Sequence, residues 1–258
     1  MAEPTARATT RALLNRPAVD RNGYLDVLGR EIAAPTPTPA QRAMNAPLVA
    51  TVYERIWRPA AFFGASGVRT ETEWRRTLRR LRPAGADRVL DVACGPGLFT
   101  SRLAERLGPD GLAVGLDISA PMLHRAVHDN AGPQTCYVRG DAGTLPFDDA
   151  TFDVVCCLGA LYLVPEPDRV VDEMIRVLAP GGRIAILTTY ANPTDPVRRL
   201  IGQLGDRIGV RGFDRARFPS RFAAAELTDI RQQIHGLFQF VAADAPGEQP
   251  AAERRAPQ

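Results

Sequence analysis

A chain of 258 residues with 45% hydrophobic and 24% charged side chains is long enough to bury one sizeable α/β core. Its formal net charge of +3 gives no electrostatic mandate for nucleic acid, and no run reaches the roughly 20 apolar residues of a membrane helix. Met1 to Arg16 lacks the apolar block of a signal peptide, so a cytoplasmic protein is expected.

Every basic residue is arginine, which is read as a bias of composition. Cys94, Cys136, Cys156 and Cys157 lie in or beside apolar runs and match no zinc spacing, so reduced core thiols are expected. Residues 1–47 are poor in periodicity. Pro35-Thr36-Pro37-Thr38-Pro39 reads as an extended linker, Tyr24, Leu25, Val27 and Leu28 as a small packed piece, and much of the first 20 residues as disordered. From Leu48 the spacing of Val49, Val52, Tyr53, Ile56 and Trp57 is helical, ended by Pro59. This segment is either a helix packed on the core or a lid presenting aromatic faces. Thr70 to Leu81 predicts a second helix with Trp74, Leu78 and Leu81 inward and arginines outward; together, residues 48–82 form an N-terminal helical unit.

Val89-Leu90-Asp91-Val92-Ala93 suits a strand buried on both faces, and Gly95-Pro96-Gly97 then turns the chain into a helix starting at Leu98. Such a turn lets a ligand approach the backbone, because no Cβ stands in the way. A dinucleotide fingerprint would need a third glycine where Thr100 stands. Leu112 to Asp117 is a second strand ending in an acid about 20 residues on, where a carboxylate reaches a ribose diol. Ser119 caps the next helix, whose His124 and His128 are one turn apart but lack a third metal ligand. Thr135 to Val138, Phe152 to Leu158 and Arg183 to Thr189 are further strands. The helix Pro167 to Leu178 and the Pro180-Gly181-Gly182 turn precede the last of these. Alternation through five strands calls for a doubly wound, mostly parallel sheet. Thr228 to His235 and Leu237 to Ala243 close the chain as a hairpin around Gly236, before a tail at 244–258 expected to be disordered.

Four ordered blocks, V-L-D-V-A-C-G-P-G at 89–97, V-G-L-D-I-S at 114–119, G-D-A-G-T-L-P-F at 140–147 and R-V-L-A-P-G-G-R at 176–183, resemble the class I S-adenosylmethionine-dependent methyltransferases. The likeness is to their small-molecule branch, which includes quinone C-methyltransferases. It implies a Rossmann-like fold with a seven-stranded, mostly parallel sheet and an N-terminal helical extension. The core is placed at 83–243, with an acceptor-side insertion at 190–227.

The family pattern assigns Asp91, Gly95 and Gly97 to the methionine end of S-adenosylmethionine, with Cys94 in the same turn. It gives Asp117 to the ribose, Ile118 and Met122 to the adenine face, and Asp141 and Ala142 to the adenine edge. Cys157 and Leu158 line the methionyl moiety, and Tyr53 covers the cofactor. No metal is implied. No general base is secure: where related enzymes often carry histidine after the fourth strand, this chain has Tyr162 and Leu163, and Tyr162 either lines the acceptor pocket or packs. Phe213, Phe218 and Phe222, amid Arg207, Arg211, Arg215, Arg217 and Arg221, either wall an acceptor pocket or form a surface helix. The implied reaction is methyl transfer to a small, partly apolar acceptor. The alternatives are a non-methylating reaction such as cyclisation, or binding alone.

Overall fold

The computed structural model describes residues 5–29, 64–192, 194–195, 202–207 and 209–247. The linker at 35–39, the helix expected from Leu48 to Trp57 and Tyr53 lie outside the described residues. One mixed sheet organises the rest. Its strands are β1 (Val19–Arg21), β2 (Tyr24–Asp26), β3 (Arg88–Val92), β4 (Leu112–Asp117), β5 (Thr135–Arg139), β6 (Phe152–Leu158), β7 (Leu178–Thr189), β8 (Thr228–His235) and β9 (Phe238–Asp244). They lie in the order β1-β2-β5-β4-β3-β6-β7-β9-β8. β2 through β7 pair in parallel, whereas β1 and the β8–β9 hairpin run antiparallel to their neighbours.

The described helices include α1 (Ala6–Leu13), α2 (Thr70–Leu81), α3 (Leu98–Ala104), α4 (Ala120–Asn130), α5 (Pro167–Arg176) and α6 (Arg217–Ala224). None of them is long and apolar enough to cross a membrane. The central strands are apolar throughout because helices cover both faces. Alternation then divides β3. Leu90 and Val92 enter the cluster shared with α5 and α6, while Val89 enters the one shared with α2 and α3. In β6, Cys157 faces the first cluster and Cys156 the second, as adjacent residues of a strand must.

Two expectations are corrected. The sheet has nine strands, not seven, because the N-terminal segment is folded in. Instead of disorder before residue 20, α1 is capped by Thr5, whose Oγ1 accepts the Ala8 N–H, and leads into a β1–β2 hairpin. β2 pairs with β5, so Leu25 is fully buried in the core. Arg7 ties the helix to this hairpin through Asp20 and the Gly23 carbonyl. At the other terminus, residues 244–247 are not a free tail: Gly181 and Ala245 exchange backbone bonds with Pro246 and Gly182 across the sheet edge.

The acceptor-wall reading of the 190–227 segment is also corrected for its described part. Phe213, Phe218 and Phe222 are 0–2% exposed in the main core. Arg217 and Arg221 each grip a carboxylate of α5, Asp168 and Asp172, with two hydrogen bonds. Those guanidiniums are committed to fixing α6 on α5, and they hold Asp168 below the usual carboxylate range.

Candidate functional site

The parallel strands all end on one edge, where the order reverses on either side of β3, and doubly wound sheets bind ligands in that crevice. Here β3 ends in a turn with three alternate left-handed residues: Ala93, Gly95 and Gly97 have φ of 56°, 56° and 83°. A Cβ at Gly95 would meet nothing within 4 Å, so this glycine borders open space. At Gly97 it would lie 2.6 Å from the Tyr137 hydroxyl, so that glycine is required by packing. The Asn130 side chain donates to the Pro96 carbonyl at 2.8 Å and holds the turn from α4. The Cys94 N–H donates to Leu116 O, which locks the turn to β4, and its side chain is buried.

Asp117 closes β4 and is the hub of the edge. One carboxylate oxygen accepts the Gly95 N–H and the other the Ser119 N–H, both at 2.8 Å. Desolvation pushes its carboxyl above the usual carboxylate value, and the backbone N–H groups of Ser119, Gly95 and Ile118 draw it back. The Asp117 carbonyl accepts from Gly140 N–H at 3.1 Å, which brings the end of β5 alongside. Ile118, next in the chain, is 47% exposed.

Asp141 is exposed, and its Oδ1 accepts the Gly143 N–H at 2.9 Å in a tight turn. Ala142 beside it packs half-buried on the main core. Leu158 ends β6 with 6% exposure, and Cys157 is fully buried behind it. Burial, reinforced by the nearby Asp91 carboxylate, pushes the thiols of Cys156 and Cys157 far up, so both are inert at neutral pH.

Not every expected residue reaches the crevice. Asp91 is 2% exposed; its Oδ2 accepts from Thr100 Oγ1 at 2.7 Å, and the Cys156 thiol lies 3.8 Å from Oδ1. Strand alternation puts Asp91 on the face of Val89, toward α3, so its carboxylate braces the turn from inside. Met122 is 2% exposed and packs as core, not as an open apolar surface. Tyr162 is half-buried against the main core, with its carbonyl accepting from Arg211 N–H. His124 stacks edge-on to Tyr24, and His128 pairs with Asp129.

Three positions were missed by sequence reading. Thr100 stands where the dinucleotide pattern needs glycine, and its hydroxyl is what holds Asp91. Arg139 donates to the Ile118 carbonyl at 3.2 Å and to Asp26 at 3.3 Å, linking the N-terminal hairpin to the loop that carries Asp117. Asp26 is wholly enclosed and also takes Arg21 and the N–H groups of Leu28 and Gly29. An acid closing a three-residue strand carries no periodic signal.

The strand order and the glycine turn at the switch point define a doubly wound α/β protein. Residues 89–182 match the family model described as a methyltransferase domain. A demethylmenaquinone methyltransferase of Lactobacillus johnsonii is 37% identical over 136 residues, 51% of this chain and 55% of that protein. The chain thus spans about half the length of the curated relatives it matches. Among solved structures, the 4+2 cyclase SpnF has a TM-score of 0.61 at 17% identity, covering 82% of this chain and 97% of its own. Geranyl diphosphate C-methyltransferase from Streptomyces coelicolor A3(2) has a TM-score of 0.56 at 18% identity, covering 67% and 75%. These two likenesses show the shared fold. Over residues 89–182 the chain is similar to methyltransferase domains.

Proposed function

We propose that the protein binds S-adenosylmethionine and transfers its methyl group to a small, partly apolar acceptor. The observation that carries this reading is Asp117. Both of its oxygens are pinned by backbone N–H groups, and the lone pairs these leave free can accept a ribose hydroxyl. The neighbouring residues fit the remainder of an adenosyl ligand. Ile118 offers exposed apolar surface to a flat base, and Asp141 keeps Oδ2 for an exocyclic amino group. Ala142 borders the base through its backbone. The open side of Gly95 leaves room for the methionyl end, with Cys94, Gly97, Cys157 and Leu158 framing it through the backbone. Asp91 and Met122 act one layer back, by holding the turn and filling the space beneath it. Tyr53 is proposed to cover the cofactor.

When bound, the cofactor supplies a methyl group already activated by its sulfonium. The chain's residues therefore have mainly to bind, orient and exclude water. The test is calorimetric titration with S-adenosylhomocysteine, followed by an assay for its formation from S-adenosylmethionine. Because the curated relatives are named for demethylmenaquinone, the reduced form of that quinone is the first acceptor to supply. Absence of binding at micromolar to millimolar ligand would end the proposal. Cyclisation is the second reading, favoured by the fold shared with a cyclase; product formed without S-adenosylhomocysteine would establish it.

A further inference from the structure

The last residues of three neighbouring strands stand side by side at the ligand edge. Asp26 of β2 pairs in register with Arg139 of β5, and Arg139 with Asp117 of β4. The Arg139 side chain, 12% exposed, donates through Nη1 to Asp26 Oδ2 at 3.3 Å and through Nε to the Ile118 carbonyl at 3.2 Å. Asp26 is itself fixed. Its Oδ1 accepts the N–H groups of Leu28 and Gly29, and Oδ2 also takes Arg21 at 2.9 Å.

What Arg139 holds matters because the peptide group is planar. The Ile118 carbonyl and the Ser119 N–H belong to one trans peptide unit and point in opposite directions. A guanidinium fastened to that oxygen therefore aims the N–H on the far side, which donates to Asp117 Oδ1 at 2.8 Å. The same bond sets where the exposed Ile118 side chain is carried. One cation thus steadies both the carboxylate proposed for the ribose and the apolar surface proposed for the base. Lysine is no substitute, because a guanidinium offers several donors in a rigid fork, whereas an ammonium is a point charge.

The support for Arg139 comes from far away in the chain. The stretch similar to methyltransferase domains begins at residue 89, whereas Asp26 ends a strand of the N-terminal hairpin, which joins the sheet through β5. A guanidinium this enclosed needs an anion to offset its lost hydration, and Asp26 supplies it.

We infer that Arg139 is a positioning residue for the adenosyl ligand, and that the N-terminal hairpin, through Asp26, is part of what shapes that site. The inference rests on the S-adenosylmethionine reading, and on the ribose role of Asp117 in particular. Adenosine and 2′,3′-dideoxyadenosine serve as probes because they share the base and differ by the diol. The ratio of their affinities isolates the Asp117 carboxylate, and any general loosening of the fold cancels from it. In ligand-observed NMR titrations of the full chain, the wild type is expected to favour adenosine about tenfold. Arg139→Lys is expected to lower that ratio at least threefold. Asp26→Asn, which turns an amide NH2 toward Arg139, is expected to lower it as well. A ratio unchanged in Arg139→Lys overturns the positioning role, and one unchanged in Asp26→Asn overturns the role of the hairpin.

Calorimetry with S-adenosylhomocysteine keeps this inference apart from the cofactor reading. Wild-type binding with an unchanged ratio in Arg139→Lys leaves the cofactor reading standing and overturns the inference alone. A wild type that binds S-adenosylhomocysteine but does not distinguish the two nucleosides takes Asp117 off the ribose, and overturns the inference too. Failure of S-adenosylhomocysteine to bind at all refutes both.

Discussion

Replacing Asp117 by Asn tests the centre of the proposed site with the smallest change in shape. The wild-type carboxylate accepts Gly95 N–H and Ser119 N–H, one per oxygen, at 2.8 Å each. An ionised carboxylate offers about four lone-pair positions, and those the backbone leaves free can accept from a vicinal diol. In Asn one oxygen becomes an NH2 group, which faces either the Gly95 or the Ser119 N–H as a donor against a donor. One charge-assisted ligand bond is lost and the other is weakened, about 1.5–3 kcal/mol in total. This corresponds to roughly a 10- to 150-fold rise in Kd. Ala removes both acceptors and is expected to weaken binding at least as much.

The assay is calorimetric titration with S-adenosylhomocysteine at 25 °C, with thermal melting of the unliganded protein as the control. The wild-type affinity is also expected to fall at acidic pH, because protonation of Asp117 removes an acceptor position and its carboxyl titrates above the usual range. A Kd for Asp117→Asn within twofold of wild type, with the fold intact, would refute the reasoning and take Asp117 out of the site.

The two glycines of the turn should respond in opposite ways. Gly95→Ala puts a methyl group into open space at φ 56°, for about 1–2 kcal/mol of backbone strain; the expected outcome is a modest fall in Tm with a large loss of S-adenosylhomocysteine affinity. Gly97→Ala drives the methyl group into the Tyr137 hydroxyl at 2.6 Å, so the larger loss in urea-monitored stability is expected there. Asp26→Asn leaves Arg139 and Arg21 facing an uncharged amide inside the sheet edge, a cost of about 3 kcal/mol in urea denaturation; an unchanged midpoint would show that the N-terminal hairpin is not anchored this way. Glu73 titrates above its ordinary value near 4.5, so its ionisation opposes folding, and wild-type stability is lost as pH rises through the folded value. Glu73→Gln is therefore expected to be more stable than wild type by about 1 kcal/mol at pH 8, with the gap closing below about pH 4.5; a gap that widens toward acid pH would refute the sign.

Much of the sheet could be read from local pattern. The apolar runs at β3, β4 and β6 are continuous because both faces are covered, and turns bound them within a residue or two of the observed ends, although the Ser119 side chain makes no cap hydrogen bond. The β1–β2 hairpin was not legible as part of the sheet. Its Asn22-Gly23 turn, with φ of 44° and 100°, is a local signal, but three-residue strands are too short to display alternation. Their stability comes from pairing with β5, which is over 100 residues away in the chain.

For the site, residue types and spacing sufficed to single out Gly95, Gly97, Asp117 and Asp141, since a strand-ending acid or a turn glycine is defined by its immediate neighbours. The direction of a side chain is not. Asp91 stands one residue before the end of β3 and Asp117 ends β4, yet Asp91 turns inward to Thr100 while Asp117 reaches across to Gly95. Glu73 shows the same limit: within α2 it is one charge among many, and only the packing of that helix buries it with Oε1 unbonded. Chain-local chemistry determined which groups could meet a ligand. Burial and long-range hydrogen bonding, which depend on contacts between distant segments, decided which of them remain free to do so.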